Sequence, residues 1–109
     1  MINVNTFKQL ALSFPNSEEI PHFEKTSFRI NKKIFATLST EKNTACIKLS
    51  VNDQYSFCAF DETVIYPLNN KWGLQGWTIL NLKKLNIKIF RQALNAAYSE
   101  VVNKTKFRC

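Results

Sequence analysis

Apolar residues in this chain recur with two different periods, and the places where the period changes limit the folds open to it. Phe7, Leu10, Ala11 and Phe14 fall at i, i+3, i+4 and i+7. Ile87, Phe90, Leu94, Ala97 and Val101 repeat that interval over a longer run. Each set forms one apolar stripe of a helix. Asn5 is placed to cap the first helix and Pro15 to stop it, while Asn86 caps the last. Between the two helices the period falls to two. Phe28 and Ile30 alternate with Arg29, and Ile47 and Leu49 with Lys48, which predicts strands over 27–30, 34–38 and 45–49. Their turns are Asn31-Lys32-Lys33 and Thr40-Glu41-Lys42-Asn43, and the polar NSEEIP at 16–21 is read as a further turn.

The remaining segments are shorter. VNDQYSFCAF (51–60) fits a short helix capped by Ser50 or Asn52, and 64–66 a brief strand before Pro67. WTILNL (77–82) reads as the last strand, with Trp77 and Ile79 turned to the core. The order is α-β-β-β-α-β-(β)-α, an α+β domain whose antiparallel sheet is covered by helices on one face and wet on the other. With 109 residues and nine phenylalanines, the chain has enough apolar mass for a single core, so 1–109 is read as one domain.

Charge is unevenly placed. Through Glu62 there are seven basic and seven acidic residues; beyond it come eight basic residues against Glu100, so the net +7 belongs to the C-terminal part. Such asymmetry points to an anionic partner, nucleic acid foremost. The segment NKWGLQGWTILNLKK carries both tryptophans and both glycines. Gly73 and Gly76 shape a tight connection into the strand. Trp72, between Lys71 and Gln75, could stack on a base while lysines hold phosphates. Lys83, Lys84, Lys88 and Arg91 crowd the start of the last helix, where the helix dipole disfavours positive charge and an anion would fit. Lys32 and Lys33 at a hairpin tip complete the candidate phosphate-contacting set.

Catalytic patterns are missing. No Gly-rich phosphate loop, zinc-ligand spacing, nucleophile elbow or paired-carboxylate motif occurs, so a non-catalytic protein without metal or cofactor is expected. Cys46, Cys58 and Cys109 are odd in number and lack CxxC spacing, which suits reduced thiols, with Cys46 and Cys58 as small buried hydrophobes. His22, the one histidine, is expected to pack at a loop-to-strand joint beside Glu24, and Tyr98 to pack with its hydroxyl at the rim. The N-terminus lacks a signal-peptide pattern and no run approaches the ~20 apolar residues of a membrane span, so a cytoplasmic location is expected.

Three strings carry a resemblance: PHFEKTSFRINKKIFATL (21–38), NKWGLQGWT (70–78) and AAYSEVV (96–102). In order and spacing they are similar to the MmcQ/YjbR-like family of small bacterial proteins, and the likeness spans nearly the whole chain. The resemblance implies an α+β fold like that of frataxin (CyaY-like) proteins, described as a double wing, and DNA binding through a basic surface with weak sequence specificity. It implies no agreed set of site residues. A frataxin-like role with iron would need clustered carboxylates, since hard cations take oxygen ligands. The first helix has no acid and only Glu100 follows Glu62. The other class of function open to the chain is an interaction module docking a protein or small ligand through the Trp72 loop.

Overall fold

The computed structural model describes residues 2–22 and 25–106. Glu24, Arg108 and Cys109, and the side chains of His22, Lys104 and Lys106, lie outside what is described. Helix α1 runs Val4–Ser13 and buries Phe7 and Ala11. Its cap is Asn3 and not Asn5: the Asn3 Oδ1 accepts the Thr6 N–H at 2.7 Å. The helix therefore begins a turn earlier than its apolar stripe.

The polar NSEEIP segment is a strand, β1 (Ser17–His22), where a turn was expected. The chain enters it through Asn16 at φ 64°. As the sheet's outer strand it has one neighbour, so it needs no apolar alternation and tolerates Pro21. Its acids find partners across the strand and on α1: Glu18 accepts from Arg29 Nε at 2.7 Å, and Glu19 pairs with Lys8 at 3.2 Å.

Strands β2 (Lys25–Ile30) and β3 (Lys33–Ser39) form a hairpin. Its loop is Asn31-Lys32 alone, both at positive φ (50° and 70°), as the right-handed twist of a two-residue hairpin demands. Lys33 is already in β3. Strand β4 (Thr44–Lys48) follows, then helix α2 (Val51–Phe60), capped by the Ser50 Oγ accepting from Asp53 N–H at 3.1 Å. Next come β5 (Ile65–Pro67), the single-turn α3 (Lys71–Leu74) in place of the expected loop, and β6 (Trp77–Asn81). Helix α4 (Ile87–Lys106) is capped by Asn86, whose Oδ1 accepts the Ile89 N–H at 2.8 Å.

All pairings are antiparallel, and the order is β1-β2-β3-β4-β6-β5. Strand β6 thus lies between β4 and β5. One sheet face carries Phe28, Ala36, Leu38, Ile47 and Leu80, buried beneath α1 and α4. Phe7 joins the layers, 5.5 Å from both the Phe28 and the Phe90 rings. Each such ring removed from water stabilises the fold by about 1.5–3 kcal/mol. Tyr98 stacks on Phe14 at 4.5 Å and meets Phe35 edge-on, with its hydroxyl directed at the Pro15 carbonyl.

The phase of β6 is opposite to expectation. Thr78 and Leu80 are fully buried in the core, while Trp77 and Ile79 project to the open face and are partly buried. Both phases of WTILNL hold apolar residues, and what decides between them is the ladder: Ala45 pairs with Leu80 and Cys46 with Ile79.

Candidate nucleic-acid interface

The strand directions divide the expected basic residues between two ends of the sheet. Strand β6 starts at Trp77 beside Lys48 and ends at Asn81 beside Thr44. Five strand residues separate these ends by roughly 13 Å.

The Trp77 end holds the β2–β3 hairpin tip, with Lys32 and Lys33, and helix α3, with Lys71, Trp72 and then Gln75. The glycines there are dictated by space. A Cβ on Gly73 would collide with the Leu68 carbonyl, and one on Gly76, at φ 111°, with that of Leu49. Asn70 caps the turn by accepting the Trp72 N–H at 2.9 Å. Gln54 fastens it from α2, its buried Nε2 donating to the carbonyls of Gly73 (2.9 Å) and Trp77 (3.2 Å). Trp72 remains 48% exposed, with the Lys71 ammonium 5.6 Å from its ring centre. Val51, Tyr55 and Leu74 are exposed on the same two helices.

The other end gathers Lys83, Lys84, Lys88 and Arg91, all exposed, around the β6–α4 turn and the first turns of α4. Lys83 shares a shallow depression with the α1 start and with Asn43 of the β3–β4 turn, which brings Lys42 into the same neighbourhood. Arg91 and Ile87 line a cleft against Thr6, Gln9 and Ser13 of α1. Among the described residues, none of these cations is in an ion pair within 4 Å. α4 contains no acid before Glu100. Asp61 feels Lys84 weakly: its carboxyl is held below the usual range mainly by hydrogen bonds from Thr63, with a smaller contribution from Lys84.

So Lys83, Lys84, Lys88 and Arg91, a strip of cations along 83–91 of the chain, share one end of the sheet, and Lys71, Trp72, Gln75, Lys32 and Lys33 lie at the other. The indole and the strip are not neighbours.

Between the two ends, the open sheet face is a trough of about 490 Å³ that the sequence did not disclose. Thr37, Cys46, Ile79 and Tyr66 form one row across four strands, with Trp77 above and Ser39 and Thr44 below. Cys46 lies on its floor, where burial pushes the thiol up to about 11, against smaller opposing effects of Lys25 and the Thr78 backbone. Cys58 is also raised, chiefly by burial and then by Glu62. Among the described residues no group of three or more His, Cys, Asp or Glu comes together as a metal site, and no helix is long and apolar enough to cross a membrane.

No family model matches the chain, and neither does any curated protein. Among solved structures it is similar to protein DR2400 of Deinococcus radiodurans, described as a DUF419 domain. The TM-score is 0.82 at 17% identity, covering 96% of this chain and 82% of that one. The likeness shows a shared fold, an α+β domain with a six-stranded antiparallel sheet.

Proposed function

We propose that this chain is a non-catalytic DNA-binding protein of the MmcQ/YjbR-like family, gripping phosphates through the strip Lys83, Lys84, Lys88 and Arg91. The observation that carries the reading is the concentration of four exposed cations at the start of α4, without ion pairs among the described residues. The helix dipole works against positive charge there by a few tenths of a kcal/mol per residue, so the cluster gains nothing from its own helix. An arriving phosphate supplies the missing counter-charge, and the contact carries no base sequence.

Four phosphate contacts give a log–log salt slope of about −3.6, a loss of affinity near 100-fold between roughly 50 and 200 mM salt. The triple variant Lys84→Glu, Lys88→Glu, Arg91→Glu should remove binding to a duplex at any salt. Its folded state should be as stable as the parent's or slightly more so, because glutamate at position 88 suits a helix start. Gel shifts paired with urea unfolding test both halves. Duplex binding that is flat across that salt range, or untouched in the variant, rejects the reading.

Exposure of Val51, Tyr55, Trp72 and Leu74 supports a second reading, a module docking a protein through the Trp72 surface. That reading requires a specific partner to be lost on Trp72→Ala with DNA binding absent.

A further inference from the structure

We infer that the open face of the sheet is a platform for an unpaired DNA strand, with a base lodged against Tyr66 and Trp77 and its phosphates led toward Lys25 and Lys42. This rests on the DNA-binding reading and names the form of DNA that the protein prefers.

Helices α1 and α4 cover only one side of the sheet, so β2, β3, β4, β6 and β5 present their alternate side chains to a trough of about 490 Å³. That is the size of a small-ligand site. Its two ends differ in chemistry. At the β5–β6 end stand Tyr66, 36% exposed, and Trp77, with Ile79 and Leu68. A flat ring can lie on such a surface whichever base it belongs to. Toward β2 and the β3–β4 turn stand Lys25 and Lys42, with the hydroxyls of Thr37, Ser39 and Thr44 between. Among the described residues, none of those lining the trough is acidic. The neutral Cys46 thiol adds no negative charge.

The trough also opens onto the strip already described. Lys42 precedes Asn43, whose carbonyl accepts the Leu82 N–H at 3.1 Å and which shares a depression with Lys83. A backbone leaving the trough past Lys42 therefore meets Lys83 and Lys84 next. A duplex cannot use this path, because its bases are stacked and paired away from the protein. A single strand can, since its bases are free to turn outward.

The test uses the full chain with Trp72→Phe, which leaves Trp77 as the sole indole. A 16-nucleotide thymidine strand and a 16-base-pair duplex are titrated separately. The strand should quench Trp77 emission saturably and bind at least about 10-fold tighter than the duplex, which should leave the emission unchanged. Tyr66→Ala, on an edge strand, should weaken the strand about 10-fold and the duplex less than twofold. Lys42→Glu, in a turn where folding is not at stake, should again weaken the strand more than the duplex. Equal affinities with a silent Trp77, or a Tyr66→Ala variant that binds the strand normally, overturns the platform. If the duplex is nonetheless bound and lost in the Lys84, Lys88 and Arg91 reversal, the DNA-binding reading survives that failure. If neither form binds, both ideas fall together.

Discussion

At the scale of single residues, a side chain takes its place either from its own segment or from the strand that pairs with it. Asn86 and Ser50 do what local chemistry demands of them, because a cap depends on near neighbours. Tyr98 packs as its helix stripe requires, although its partner Phe14 is distant in sequence. Trp77 does not follow its own segment, because the side of a strand is fixed by its partner strand, and the pairing of Lys48 with Trp77 is not written in either segment. Tryptophan's size argued for the core, yet Thr78 took that place, its hydroxyl satisfied by the Gly76 carbonyl at 2.9 Å. Cys46 gives a measurable consequence of facing the trough floor. Its thiol is raised from 9.0 to about 11 in the fold. Below pH 9 it is protonated folded or unfolded, and its contribution to stability is complete. From pH 9 to 11 only the unfolded chain ionises, so that contribution drains away. Urea unfolding at pH 8 and 10.5 should show the parent losing about 1–2 kcal/mol more than Cys46→Ala over that interval.

Elements were legible in proportion to their length and amphipathicity. α1 and α4 announce themselves by their stripes. β1 was invisible because an edge strand rich in acids and proline has the composition of a turn, and its stability comes from partners distant in sequence such as Arg29 and Lys8. The basic strip was half legible: Lys83, Lys84, Lys88 and Arg91 are close in sequence and stay together. Joining Lys71 and Trp72 to them failed because β6 carries the two groups to its opposite ends. The Gln54 side chain of α2 helps hold α3 in place. Replacing Gln54 by Leu leaves the Gly73 and Trp77 carbonyls without its donor. The expected cost is about 1–3 kcal/mol, read from urea unfolding, with Trp72 emission shifting as the turn loosens.

At the scale of the whole molecule, stability is graded from the centre of the sheet outward. β4 and β6 are each paired on both sides and β3 and β4 lie beneath α4, whereas β1 and β5 each have one strand neighbour. Amide hydrogen exchange should therefore show the slowest protons in β3, β4 and β6 and the fastest strand protons in β1 and β5. A β5 that exchanges as slowly as β4 would contradict this ordering. The open face is built on that centre, and the turn carrying Lys83 and Lys84 leaves it directly from β6.

The insertion of β6 between β4 and β5 also sets a schedule for synthesis. When Lys48 emerges from a ribosome, the first four strands are complete, but the partner that seals the outer rim of β4 ends at Asn81. At about 5–20 residues per second that interval lasts roughly two to seven seconds. For those seconds a nascent chain offers a row of bare amides to whatever passes, including its own siblings on the same message.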